Sequence, residues 1–140
     1  MVLNSIELKN FRLHRNTQIK FSNKINYIVG GNGQGKTSLL EAIYYLCTTK
    51  SINQSSDSEA VTFLEDSFDI SGNFFEYSKN NVRVSFDKLN NKKAVIVDRK
   101  QIHKASDLIG RFPVVALLQT DHGITQGSPI ERRRFVDSII

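Results

Sequence analysis

The sequence predicts an α/β fold organised around one Gly-rich loop that opens a helix. Three observations predict it. Gly30-Gly31-Asn32-Gly33-Gln34-Gly35-Lys36-Thr37 fits the pattern G-x-x-x-x-G-K-[ST]. A short apolar segment of strand composition, Ile25-Asn26-Tyr27-Ile28-Val29, precedes it. Behind it, Leu39, Leu40, Ile43, Leu46 and Cys47 recur at helical spacing. Strand, loop and helix in that order make the pattern a phosphate-binding site.

The chemistry accounts for each residue type. A loop surrounds a triphosphate with backbone N–H donors only if side chains stay clear. Glycines at 30, 31, 33 and 35 remove Cβ and permit positive φ, so the amides converge into an anion nest. A helix starting near Lys36 adds its unbonded N-terminal amides and the positive end of its dipole. Lys36 reaches the β- and γ-phosphates as a point charge, and the Thr37 hydroxyl is placed to ligate Mg²⁺. Asn32, Gln34 and Ser38 complete the candidate ATP-binding set. The plainer alternative is a Gly-rich turn before an amphipathic helix. The motif's fixed positions between strand and helix signals favour the phosphate site.

Composition narrows the class. A chain of 140 residues is one domain by length, and 39% hydrophobic with 24% charged residues is a soluble globular balance. No run of 18 apolar residues is present, so no membrane span is expected. Met1 to Glu7 lacks the basic start and apolar core of a signal peptide, so a cytoplasmic location is expected. The single cysteine, Cys47, reads as a buried structural thiol in a reducing compartment. Without C-x-x-C or a His/Cys cluster, no protein-ligated metal is expected. A net charge of +5 is compatible with a polyanionic partner such as DNA.

Along the chain, Ile6 to Lys9 and Thr17 to Phe21 alternate as half-exposed strands, so three strands are expected before the first helix. Residues 48–59 are polar and read as a surface loop without packing signals, and 60–64 as a short helix. Strands are expected at 68–77, 82–86 and 94–97, joined by turn-like spacers into an antiparallel meander. Residues 98–101 read as a turn. Lys104 to Gly110 reads as a short helix, and Phe112 to Leu118 as a strand buried on both faces. Ser128-Pro129-Ile130-Glu131 carries a capping box that starts a last helix. The expected organisation is 1–47 strands, loop and helix; 48–67 polar loop and short helix; 68–98 antiparallel β-subdomain; 99–140 helix, buried strand and the start of a further lobe. Phe11, Phe21, Phe63, Phe112 and Phe135 are candidate core residues, while Phe74, Phe75 and Tyr77 alternate between strand faces. His14, His103 and His122 show no partner pattern.

Ile6-Glu7-Leu8-Lys9-Asn10-Phe11-Arg12, a strand near residue 20 and the segment from Ile25 to Ile43 together resemble the start of the ABC-type ATPases of chromosome maintenance. That group holds the SMC proteins, the double-strand-break repair ATPases and the RecF family. The Asn-Gly-Gln-Gly-Lys-Thr form, followed by Leu-Leu-Glu-Ala-Ile-Tyr, is most similar to the RecF family. Gly127-Ser128-Pro129-Ile130-Glu131-Arg132-Arg133-Arg134-Phe135-Val136-Asp137 is similar to that family's Gly-x-Pro-x-x-Arg-Arg-Arg-Phe-x-Asp. The resemblance implies the N-terminal portion of a P-loop NTPase of ABC-ATPase type, with the antiparallel β-subdomain beside the nucleotide.

It also implies ATP and Mg²⁺ as cofactors and an ATP-dependent homodimer of the full-length protein. The DNA partner would be single-stranded or a gapped duplex. RecR- and RecO-type mediators would help place RecA at the gap. Arg12 would lie close to the nucleotide, where a guanidinium holds phosphate oxygens bidentately; the plain alternative is a loop surface charge. Gln119 is a candidate Q-loop residue.

Arg132, Arg133 and Arg134 fan over roughly 200° of a helix, so they read either as DNA or protomer contacts or as a solvated face. Asp121 lies past the apolar run without a following acid, so it does not read as the Mg²⁺-associated carboxylate of a Walker B strand. The family's signature and Asp-Glu strand are absent from these 140 residues, which are expected to bind nucleotide and hydrolyse it poorly. Other readings are another SMC-like ATPase head, a nucleotide-binding module with no hydrolytic role, and a P-loop kinase or GTPase. The strands ahead of the loop and the missing Asn-Lys-x-Asp motif weigh against the last.

Overall fold

The computed structural model describes residues 1–118, 128–130 and 133. Gln119, Asp121, His122, Gly127, Glu131, Arg132, Arg134, Phe135 and Asp137 lie outside the described residues. The alternating N-terminal segments form a hairpin. β1 (Val2–Phe11) and β2 (His14–Lys20) pair antiparallel, with Ile6 opposite Ile19 and Phe11 opposite His14. Phe11 is buried beyond Asn10, whose positive φ interrupts the alternation; before that break Ile6 and Leu8 are buried, Glu7 is partly covered and Lys9 is exposed. That is the period-2 pattern of a sheet with one covered side.

The strand expected at Ile25 to Val29 is not formed. The segment is irregular, with Ile25, Tyr27 and Val29 exposed and Ile28 resting on the core. Two strands, not three, therefore precede the first helix. Apolar composition favours a strand only where a neighbour supplies hydrogen bonds, and no strand among the described residues pairs with this one.

α1 (Lys36–Thr48) begins inside the Gly-rich loop. It buries Leu39, Ala42, Tyr45, Leu46 and Cys47, together with one charged residue, Glu41. Leu40, expected on the apolar face, is exposed, and Ile43 is only partly covered. The buried stripe has rotated toward Ala42 and Tyr45 because the sheet lies on that side. Thr49, at φ +60°, closes the helix by donating its N–H to the Tyr45 carbonyl at 2.8 Å.

Residues 48–59 are packed rather than a free surface loop. Thr49 and Ser51 are buried, and the Lys93 ammonium reaches from the sheet to the Thr49 carbonyl at 2.8 Å and to Asp57 Oδ2 at 2.6 Å. The short helix falls earlier than expected, as α2 (Asp57–Ala60). Val61 then bridges to Phe11, and the Arg12 N–H donates to the Ala60 carbonyl at 2.7 Å. Phe63 is 82% exposed, so it is not a core residue. Phe11 and Phe112 are buried, and Phe21 packs at the core's edge.

β3 (Ser67–Phe75), β4 (Lys79–Asp87), β5 (Lys92–Val97) and β6 (Lys100–Ile102) complete one antiparallel sheet in the order β2-β1-β3-β4-β5-β6. Asp98 and Arg99, both at positive φ, make the tight turn, and Lys100 and Gln101 already belong to β6. Phe74 is buried, and Phe75 and Tyr77 are exposed. α1 lies on the inner face, where Phe11, Tyr45 and Phe68 meet edge to face with centroids 5.2 to 5.9 Å apart. Gly72 lets the helix approach: a Cβ there would sit 2.6 Å from Leu46 Cδ1.

Beyond the sheet, the expected helix from Lys104 to Gly110 is a single 3₁₀ turn, Ala105–Asp107. Phe112 packs on Phe74 with centroids 4.7 Å apart. The buried strand expected at Phe112 to Leu118 is not formed. Its residues are irregular, and Val115 and Leu117 are almost wholly exposed. As at Ile25 to Val29, no strand among the described residues pairs with it. Pro129 and Ile130 are helical, as the Ser-Pro start predicts.

Candidate phosphate-binding site

The site is built at the head of α1. Gly30, Gly33 and Gly35 hold φ of +154°, +76° and +84°, the region that side chains disfavour. Gly35 is the N-cap residue, and its carbonyl accepts the first helical bond, from the Leu39 N–H at 2.9 Å. The N–H groups of Lys36, Thr37 and Ser38 thus lie ahead of the first intrahelical bond. The first turn carries no acidic side chain, so no carboxylate there offsets the positive end of the helix.

Lys36 folds back over the loop. Its ammonium donates to the carbonyls of Gly30 at 2.8 Å and Gly31 at 2.5 Å. Gln34 turns inward as well, its Oε1 accepting the Gly31 N–H at 2.8 Å. Both side chains therefore bond the loop's own backbone, at positions where phosphate oxygens would compete for the same donors.

Arg12 leaves the β1–β2 turn at φ +53° and engages Glu41 of α1. Its Nε donates to Oε2 at 2.9 Å and its Nη2 to Oε1 at 2.8 Å. Further donations reach the Glu59 carbonyl at 2.9 Å and Ser55 Oγ at 2.5 Å. Ser51 adds a hydroxyl to Glu41 Oε1 at 2.6 Å. The buried carboxylate is thereby paired and hydrogen-bonded, as a charge out of water must be. Beside Arg12 and Ser38 opens a cleft of about 880 Å³, also lined by Leu13, Val61, Phe63 and Lys88.

The structure brings Gly30 to Ser38 into one loop and sets Arg12 on its flank through Glu41. Arg133 is a helical, exposed residue outside this cluster. His14 is what sequence reasoning missed: its Nε2 lies 3.0 Å from the Gly35 carbonyl, across 21 positions. No local pattern signals a contact that the hairpin's fold creates. Deeper in α1, burial pushes the Cys47 thiol up to about 11. Burial, then the hydrogen bond to Asp57, raises the Tyr45 phenol above its ordinary range. Among the described residues no group of His, Cys, Asp and Glu is placed to hold a metal, and no helix is long and apolar enough to cross a membrane.

A profile of the AAA domain matches residues 5–126, and the chain belongs to that family of ATPase domains. Within it the chain is similar to RecF. The DNA replication and repair protein RecF of Chloroherpeton thalassium is 40% identical over 142 residues, covering 100% of this chain and 38% of the relative. A solved structure of the recombination mediator protein RecF-ATPrS in the RecFOR pathway aligns with a TM-score of 0.86 at 29% identity, over 96% of this chain and 37% of that one. A structure from work on ATP-driven dimerization and DNA stimulated activation of SMC ATPases shares the fold, with a TM-score of 0.81 at 18% identity over 100% of both chains. The chain spans little more than a third of the length of the curated relatives it matches. Its fold is that of the N-terminal portion of an ABC/SMC-type ATPase head with an antiparallel β-subdomain.

Proposed function

We propose that this chain is the ATP-binding portion of a RecF-like DNA repair and replication protein. The observation that carries the reading is the loop from Gly30 to Ser38. Its glycines hold φ values that clear the backbone of side chains, and it delivers three successive amides and a lysine to the positive end of α1. The donor set fits a polyphosphate. The N–H groups of Lys36, Thr37 and Ser38, with the Lys36 ammonium, would hold its terminal phosphates. The Thr37 hydroxyl is the oxygen ligand available to Mg²⁺. The cleft beside Ser38, with the apolar surfaces of Leu13 and Phe63, offers room for base and ribose.

The likeness to a structure described as RecF-ATP supports the choice of ATP. We read the whole protein, as its resemblance to the RecF family implies, as one in which ATP drives dimerisation and the dimer binds single-stranded or gapped DNA in the cytoplasm. There it works with RecR- and RecO-type mediators to load the recombinase. Gln119 would sense the γ-phosphate, and Arg132, Arg133 and Arg134 would meet DNA phosphates, a contact that weakens as salt rises.

The test is a melting scan of the purified chain with Mg²⁺ and ATP, GTP or neither. A ligand that binds only the folded state raises the midpoint in proportion to the logarithm of its concentration. ATP is expected to raise it by several degrees and GTP far less. Equal melting in all three would overturn the reading.

A further inference from the structure

We infer that His14 is a positioning residue for the phosphate loop, setting the plane of the Gly35–Lys36 peptide so that the Lys36 amide faces the bound phosphate. The inference rests on the nucleotide reading above. Gly35 has no side chain with which to cap α1, and the helix start has no side-chain cap bond of its own. The restraint comes from across the fold instead. The Gly35 carbonyl receives the Leu39 N–H at 2.9 Å and lies 3.0 Å from His14 Nε2.

A carbonyl only accepts, so Nε2 must carry the proton. In the neutral ring Nδ1 is then an acceptor, and Thr17 Oγ1, at 3.0 Å, donates to it. Both ring nitrogens are thus committed and the ring cannot turn without losing a bond.

The geometry of a trans peptide carries the rest. The N–H of Lys36 points opposite to the carbonyl of Gly35. Holding that carbonyl against β2 and the first turn of α1 aims the Lys36 N–H out of the helix and into the loop. The ring also occupies the space of any side chain at 35, since a Cβ there would lie 2.8 Å from Nε2. Glycine is therefore required at 35 twice, by its φ and by His14. His14 sits opposite Phe11 in the β1–β2 register, two residues after Arg12, which grips Glu41. The hairpin so holds α1 at its N-cap, Gly35, and again at Glu41 six residues along.

The experiment compares the 140-residue chain with His14→Leu, His14→Gln and His14→Asn, titrating each with Mg–ATP by calorimetry and melting each without ligand. Gln places an amide donor where Nε2 stood; Asn is too short and Leu has none. His14→Leu is expected to bind about five- to tenfold more weakly, the worth of one hydrogen bond, and His14→Gln within twofold of the parent. Should His14→Leu fail to fold, His14→Asn against His14→Gln gives the same comparison. Equal affinity of His14→Leu and parent, or no rescue by Gln over Leu or Asn, would overturn the role of His14 alone. A parent chain that takes up no Mg–ATP would overturn the nucleotide reading, and this inference with it.

Discussion

Arg12 and Glu41, 29 positions apart, meet through two parallel hydrogen bonds of 2.9 and 2.8 Å, and the Glu41 side chain is only 4% exposed. The pair ties the β1–β2 turn to α1. Arg12→Ala strands a carboxylate out of water and is expected to cost about 3 kcal/mol. Urea unfolding checks it, and in a double-mutant cycle with Glu41→Gln the two losses should fall well short of additive.

Gly72 sets how closely α1 lies on the sheet. A side chain there must displace Leu46 Cδ1 at 2.6 Å and press on Leu3 Cδ1 at 3.2 Å. Gly72→Val is expected to destabilise by about 2 kcal/mol through overpacking, with Gly72→Ala well below that because the ends of leucine side chains can move. Chemical denaturation of both variants checks the order.

Lys93 clamps the segment after α1. Its ammonium lies 2.6 Å from Asp57 Oδ2, 2.8 Å from the Thr49 carbonyl and 5.0 Å from the centre of the Tyr45 ring. Lys93→Met keeps the stem but loses all three polar contacts. Amide exchange is expected to speed up between residues 49 and 60 with little change in β1 and β3.

The Cys47 thiol carries a signed pH dependence. Burial raises it from 9.0 to about 11. Between those values the unfolded chain releases the proton and the folded chain keeps it. The stability it contributes is thus full below pH 9 and is lost as pH rises toward 11. Cys47→Ala is expected to flatten the decline in stability over that window, measured by urea unfolding at each pH. The folded parent should also resist alkylation at pH 8, since only the thiolate reacts.

The loop, the helix behind it and the meander of β3 to β5 are legible because local chemistry dictates them. Glycines mark positive φ, and period-2 alternation marks a half-covered strand. Ile25 to Val29 and Phe112 to Leu118 read as strands in the sequence and form none in the structure, for a shared reason. Apolar composition records a preference for burial but does not supply the neighbouring strand. Residues 48–59 look like free loop because their packing runs through hydroxyls and backbone onto Glu41 and Lys93, and polar packing leaves no periodic trace. The Arg12–Glu41 and His14–Gly35 contacts were illegible because each joins the β1–β2 hairpin to α1. Only the folded register makes them neighbours.

On the function proposed above, main-chain amides and the Lys36 ammonium at the head of α1 hold the phosphates of ATP. Titration calorimetry of the 140-residue chain with Mg–ATP, beside Lys36→Ala of equal thermal stability, tests it most directly. A saturable one-to-one binding heat is expected in the parent, with a loss of at least tenfold in affinity in the variant. No binding heat in the folded parent, or equal affinity in both chains, would contradict it.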